Sequence, residues 1–138
     1  MVNQGLRVLV LDESRLMAWI VEHVAPPGTK VVGLTSFDDA RRALLENPPD
    51  AAIVSVTSAR RPWREFRLLC ADRRPPVPLL YESCVFANPE DAGLGGDPGD
   101  ARFLRTPASR ADLEGALGRL LDDARAVRKG AVSVVGQA

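Results

Sequence analysis

Hydroxyl and acidic side chains follow several apolar segments of this chain. Asp12 and Glu13 come directly after "RVLVL", Ser55 ends "AAIVS", Ser83 ends "LLYES", and Thr106 follows "RFLR". Acidic side chains can bind divalent cations, and a hydroxyl can attack an electrophile when a general base removes its proton. In open sheets of parallel strands, such chemistry gathers at the carboxyl ends of the strands. If the apolar segments are neighbouring strands, we expect these five side chains to line one pocket.

Nucleophilic chemistry at Ser55 would need a base that the sequence does not place nearby. The chain has one histidine. It is His23, which we expect on the outer flank of the first helix beside Trp19. Unperturbed carboxyl groups titrate near pH 4, so they are weak bases at about pH 7. The two cysteines, Cys70 and Cys84, have neither metal-ligand spacing nor a disulfide framework. We therefore predict that the chain is not an enzyme.

Asp12 and Glu13 are the candidate metal ligands. Two adjacent carboxylates can attract Mg²⁺, but this ion requires nearly octahedral oxygen coordination, which two carboxylates alone do not complete. We expect Mg²⁺ binding to be weak at most, and we expect no other cofactor.

The elements that must position these residues follow from the hydrophobic pattern. Apolar runs rich in β-forming residues predict strands over 6–11, 30–36, 50–56, 77–83 and 102–106. Helical spacing of apolar residues predicts helices within 15–24, 36–49, 61–76 and 109–127. Ser14, Ser36 and Ser109 fit the N-cap position of three of these helices. The segment 84–101 is rich in Gly and Pro, which argues against a long helix there.

Strands that alternate with helices predict an α/β fold with a parallel sheet covered on both faces. Because crossovers are right-handed, few topologies remain. We predict a flavodoxin-like (βα)5 three-layer sandwich with five strands in the order 2-1-3-4-5 and a degenerate fourth helix. The predicted domain spans 1–127. Residues 128–138 show no helical period and are predicted to be a flexible tail or the start of a linker.

Bulk properties exclude several classes of partner. The chain has 138 residues and a formal net charge of zero, and no basic block stands out, so we expect no nucleic-acid binding. No apolar run approaches the roughly 20 residues that span a bilayer, and the start of the chain does not have the pattern of a signal peptide. We therefore expect a cytoplasmic protein without membrane contact.

Four segments together resemble a known family. "RVLVLDES", "NPPDAAIVSV", "VPLLYES" and "RFLRTPAS" are similar, in order and spacing, to the strand-end motifs of bacterial response-regulator receiver domains of the CheY-like superfamily. The resemblance implies that Asp12 and Glu13 take the metal-binding acidic positions. It places Ser83 at the Thr/Ser position, Phe103 at the switch aromatic position, and Pro107 at the proline that follows a lysine.

Two residues depart from that family pattern. Ser55 stands where the family has its phosphoacceptor Asp, and Thr106 stands where it has Lys. A buried lysine left without its anion would be costly, and losing the anion and the cation together avoids that cost. The resemblance with these departures predicts a non-phosphorylatable pseudo-receiver, which acts as a protein–protein interaction module in bacterial two-component-type signal transduction. Its expected partner is a signalling protein, and a homodimer is also compatible with the sequence.

A second function class stays open at this point. The chain could be a small flavodoxin-fold domain that binds a ligand or catalyses a reaction in the Asp12/Glu13 pocket, with Ser55 and Ser83 beside it. The pseudo-receiver interpretation requires that Ser55 and Thr106 lie near Asp12. It also requires that no other acid fills the position between them.

Overall fold

The computed structural model describes residues 5–57, 63–88, 91 and 102–137, with the backbone alone at 64 and 131–137. The strands are β1 (Arg7–Leu11), β2 (Lys30–Leu34), β3 (Ala51–Ser55), β4 (Leu79–Ser83) and β5 (Arg102–Arg105). The helices are α1 (Leu16–Val24), α2 (Phe37–Glu46), α3 (Trp63–Asp72) and α4 (Arg110–Gln137).

The five strands form one parallel sheet in the order β2-β1-β3-β4-β5. This is the predicted flavodoxin-like topology. The register pairs Ser55 of β3 with Glu82 of β4, and Ser83 of β4 with Arg105 of β5. The carboxyl ends of β3, β4 and β5 are therefore level with each other at one edge of the sheet.

Two apolar cores cover the two faces of the sheet, which gives the three predicted layers. Alternate strand residues such as Leu9 and Tyr81 pack against α2 and α3. The residues between them, such as Val10 and Leu80, pack against α1 and α4. Because both faces are buried, every central strand is apolar at nearly every position. In the described part of the chain, no helix is long and apolar enough to cross a membrane.

The starts of three helices test the predicted N-caps. Ser36 accepts a hydrogen bond from the Asp39 amide, and Ser109 accepts one from the Asp112 amide, so both caps are confirmed. The prediction for Ser14 is wrong. The chain turns through Arg15, which has a left-handed backbone with φ of 65° and is the N-cap residue of α1.

The last helix is longer than predicted. Instead of ending near residue 127, α4 continues to Gln137. The extension adds backbone hydrogen bonds to a helix that is already formed, which offsets the low helix propensity of Gly130 and Gly136. The division into a domain and a tail at 127 stays a prediction. The predicted degenerate helix falls mainly on residues 89–90 and 92–101, which lie outside the described residues.

Candidate functional site

A cavity of about 340 Å³ opens at the carboxyl edge of the sheet, between α1 and the start of α4. Four polar side chains form its floor: Asp12, Ser55, Glu82 and Thr106. Its walls are mainly apolar and come from both helices and the loop after β5, with Leu16, Met17, Ile20, Pro107, Ala108 and Leu113 among them. The structure thus brings together three of the five predicted side chains and adds one that the sequence analysis missed.

Glu82 is the central residue of this floor. Its side chain is buried, and it joins the ends of three neighbouring strands. Ser55 Oγ donates a hydrogen bond to Glu82 Oε1, and Thr106 Oγ1 donates one of 2.6 Å to Glu82 Oε2. Each carboxyl oxygen therefore accepts from one hydroxyl. The sequence analysis required that no other acid occupy this position, and that requirement is not met.

The sheet geometry explains why Glu82 points into the cavity. Side chains alternate along a strand, so Glu82 lies on the same face as Leu80, which packs against α1 and α4. Ser55 is its direct partner in the register of β3 and β4. Side chains of directly paired residues lie close together on one face, so the hydroxyl and the carboxyl meet.

Asp12 holds the start of α1. Its Oδ2 accepts a hydrogen bond of 2.7 Å from the Met17 amide, and its Oδ1 accepts one of 3.1 Å from the Ser14 amide. The Ser14 hydroxyl also lies within hydrogen-bond distance of both oxygens. The first amides of a helix have no partner within the helix, so a carboxylate in front of them stabilises it. Asp12 therefore caps the Met17 amide, while the Ser14 hydroxyl accepts a longer hydrogen bond of 3.3 Å from the Leu16 amide.

Glu13 and Ser83 do not line this cavity. Glu13 is exposed and contributes to a separate small cleft beside Ser55, Phe37 and Trp63. The side chains of Asp12 and Glu13 are separated because consecutive residues after β1 point to different sides of the chain. Asp12 and Glu13 therefore do not form the common pocket that the predicted alternative function requires.

Ser83 is fully buried and lies on the opposite face of the sheet from Glu82. Its hydroxyl donates to the Val56 carbonyl at 2.6 Å and accepts from the amides of Val85 and Phe86 at 3.1 and 3.0 Å. All three bonds are within the protein, so Ser83 fixes the chain where it leaves β4. Phe103, at the predicted switch aromatic position, packs against the core on the α2 and α3 side.

The donor set does not fit Mg²⁺. The acceptor positions of Asp12 are used by Ser14 and Met17, and Glu13 lies elsewhere, so Glu82 is the one acid of this floor that keeps free acceptor positions. Within the described residues, no group of three or more His, Cys, Asp and Glu side chains is placed to hold a metal ion. Mg²⁺ prefers several unencumbered oxygen ligands in nearly octahedral geometry. We therefore assign no role to a metal ion at this site.

A larger cavity, of about 450 Å³, lies at the opposite edge of the sheet between α3 and α4. Arg102 lines it and is paired with Asp123 at 2.8 Å, which raises the pKa of Arg102 above its usual value. Cys70 also lines it, but burial raises the pKa of this thiol to about 12, so it is a poor nucleophile. The cavity at the carboxyl edge is therefore the better candidate for function.

Comparison with known proteins identifies the fold. Neither a family model nor a curated protein matches the sequence. Many solved structures do match, and the chain has the fold of response-regulator receiver domains. One is a signal receiver domain of an HD domain-containing protein from Pseudomonas fluorescens, with 14% identity and a TM-score of 0.76 over 94% of this chain and 96% of that one.

Two further structures give the same result. The chemotaxis response regulator CheY4 of Vibrio cholerae is 21% identical, with a TM-score of 0.68 over 84% of this chain and 98% of that one. A response regulator from Thermotoga maritima is 16% identical, with a TM-score of 0.70 over 86% and 98%. At these identities the likeness establishes the fold, while the chemistry must be argued from the site.

Proposed function

We propose that this chain is a non-phosphorylatable pseudo-receiver, which works as a protein–protein interaction module in bacterial two-component-type signalling and has no enzymatic activity. The observation that carries the proposal is the Ser55–Glu82–Thr106 arrangement at the carboxyl edge of the sheet. The receiver fold supplies the signalling context, and the altered site supplies the loss of phosphorylation.

The chemistry of phosphoryl transfer supports the loss. An incoming phosphoryl group needs a nucleophile and a positive charge that offsets its oxygens. Ser55 carries a hydroxyl in place of a carboxylate, and among the described residues that line the cavity none is Lys, Arg or His. A phosphoryl group attached to Ser55 would lie against the carboxyl of Glu82, where charges of the same sign repel.

Glu82 fills the position that the interpretation from sequence required to be free of another acid, so the proposal holds only if Glu82 is not itself a phosphoacceptor. Both of its oxygens accept hydrogen bonds from hydroxyls, which stabilise the carboxyl group and make it a weaker nucleophile. A new acyl phosphate would lie without a counter-charge from the described residues that line the cavity. We propose that Glu82 replaces the reactive centre with a permanent internal link between the strand ends.

The net charge of the chain bears on the kind of partner. A formal net charge of zero gives no electrostatic attraction to nucleic acid, so we propose a protein partner in the cytoplasm. A second copy of the chain is the other candidate, and the molar mass in solution distinguishes a homodimer from a monomer.

Incubation with acetyl phosphate and Mg²⁺, and separately with beryllofluoride, tests the proposal. We expect no phosphoryl adduct by intact mass spectrometry and no shift of the Ser55 or Glu82 amides by NMR, while a receiver domain that retains its Asp and Lys responds to both reagents. A hydroxylamine-sensitive adduct that disappears in Glu82→Gln would instead identify Glu82 as a phosphoacceptor. An adduct that resists hydroxylamine and disappears in Ser55→Ala would identify phosphoserine. Either adduct would refute the proposal.

A further inference from the structure

The cavity at the carboxyl edge combines apolar walls with an acidic floor. Leu16, Ile20 and Leu113 belong to its walls, and Asp12 and Glu82 belong to its floor. Both acids are more than nine-tenths buried, with exposures of 7% and 4%. No basic side chain is present among the described residues that line the cavity. The site therefore has a negative floor that nothing within these residues neutralises.

Of the two carboxyl groups, that of Glu82 has capacity for another donor. A carboxylate offers about four acceptor positions. Glu82 uses one position of each oxygen for Ser55 and Thr106, and Asp12 uses its oxygens for the start of α1. Bringing a cation to Glu82 is favourable because this acid has no counter-charge among the described residues that line the cavity, and its desolvation has already occurred on folding.

The form of the cavity favours an ammonium over a guanidinium. The flat guanidinium group binds carboxylates best with two parallel hydrogen bonds. At Glu82 this geometry is obstructed, since one hydroxyl already lies against each oxygen. An ammonium needs only single contacts, and the methylene stem of a lysine side chain suits apolar walls.

The rim of the cavity favours a polypeptide over a free amine. Leu16 and Trp19 lie one turn apart on α1, and their exposures are 59% and 58%. Leu16 also lines the cavity, so the exposed apolar surface is continuous with it. A small free amine would leave this surface uncovered, while residues flanking a lysine in a protein segment would cover it.

We propose that the cavity is a docking site for one lysine side chain of a partner protein, with apolar neighbours of that lysine resting on Leu16 and Trp19. The lysine ammonium binds at the carboxyl of Glu82 and its stem lies between α1 and the start of α4. This inference rests on the proposed function, because it names the chemistry of the partner that the interaction module recognises.

NMR titration of the full chain with two peptides tests the proposal. The first probe is the acetylated and amidated peptide Ala-Leu-Lys-Leu-Ala, and the second has norleucine in place of the lysine. Norleucine keeps the length of the stem and removes the charge. We expect shifts at α1 and at the ends of β4 and β5. The lysine peptide should bind about tenfold more tightly, as expected for one charge-assisted hydrogen bond.

Three variants locate the effect. Glu82→Gln keeps the size of the side chain and should reduce the preference for lysine to less than about threefold. Glu46→Gln makes the same change at an exposed position at the end of α2 and should leave the preference unchanged. Thr106→Lys places an ammonium of the chain itself at the floor and should abolish the preference.

Several results would overturn the proposal. Equal binding of the two peptides, no shift with either peptide at millimolar concentration, or an unchanged preference in Glu82→Gln would do so. Pentylamine binding as tightly as the lysine peptide would make the cavity a site for free amines. The comparison of the two peptides needs no variant, so a folding defect in Glu82→Gln would not remove the test. Reaction with acetyl phosphate would refute the proposed function whatever the peptides show, and failure of the peptides would leave the phosphorylation result unaffected.

Discussion

Replacing Thr106 with valine tests whether Glu82 really ties the fifth strand to the sheet. Valine has nearly the shape of threonine but no hydroxyl, so Glu82 Oε2 loses the donor that now lies 2.6 Å away. The backbone is not disturbed, because the amide of residue 106 still donates to the Ser83 carbonyl at 2.8 Å. The substitution therefore isolates one side-chain hydrogen bond.

The expected loss of stability follows from the environment of Glu82. A hydrogen bond to a charged group contributes about 1.5–3 kcal/mol, and a buried group left without its partner costs about 1–3 kcal/mol. Glu82 is only 4% exposed, but it lines a cavity of about 340 Å³ in which a water molecule can replace part of the lost bond. We expect the free energy of unfolding to fall by about 2 kcal/mol. For a domain of this size, that is a decrease of about 6–8 °C in Tm.

Urea denaturation followed by circular dichroism measures this loss. Thr57→Val is the matched control, since Thr57 is exposed at the rim of the same cavity, and its effect should stay within about 0.5 kcal/mol. In a Glu82→Gln background the acceptor is neutral, so Thr106→Val should cost about half as much. Equal losses in both backgrounds, or a loss no larger than that of the control, would refute the role assigned to Glu82.

Four further predictions concern other parts of the fold. A thiol reagent should modify the exposed Cys84 much faster than the buried Cys70, whose pKa is raised to about 12, and equal rates by mass spectrometry would contradict this. The folded protein keeps the Cys70 proton above the usual thiol pKa of 9.0, whereas the unfolded chain releases it. The free energy of unfolding should therefore fall by about 1.4 kcal/mol per pH unit between about pH 9 and 12, and urea titrations that show no decrease would exclude this effect. Asp12→Ala should cost about 1–2 kcal/mol through loss of the helix cap, and Asp12→Asn, which keeps an acceptor oxygen, should cost less; equal costs would contradict a capping role based on hydrogen bonding. Gly33→Ala should cost about 1–3 kcal/mol, because the added Cβ would lie 2.9 Å from the Cβ of Ala18, and wild-type stability in urea would show that this contact relaxes.

The three central strands, β1, β3 and β4, could be predicted from sequence because they are buried on both faces. Each forms an apolar run with few polar interruptions, and all five observed strands fall within the predicted ranges. The strand order followed from the alternation of strands and helices and from the handedness of crossovers. The start of α1 could not be predicted, since Ser14 has a suitable residue type but the left-handed backbone at Arg15 moves the helix start past it.

Glu82 escaped prediction for the same reason that its strand was easy to find. A strand buried on both faces has no alternation of polar and apolar residues, so the face to which an acid points cannot be read from the sequence. The useful signal was an acid within the apolar run "VPLLYES", placed opposite Ser55 once the strand order is known. The resemblance to receivers directed attention to the next residue, Ser83, which lies on the other face.

If this chain descends from a phosphorylated receiver, as the proposed function implies, the contact between Ser55 and Glu82 makes loss of the acceptor difficult to reverse during evolution. Changing residue 55 to aspartate would bring two carboxyl groups together where a hydroxyl now donates a hydrogen bond to a carboxyl. The unfavourable aspartate at residue 55 would have to arise before any later substitution could make it favourable. A lineage could regain the acceptor only by first giving up Glu82, and with it the link between the strand ends. The order of substitutions is thereby restricted by a single buried side chain.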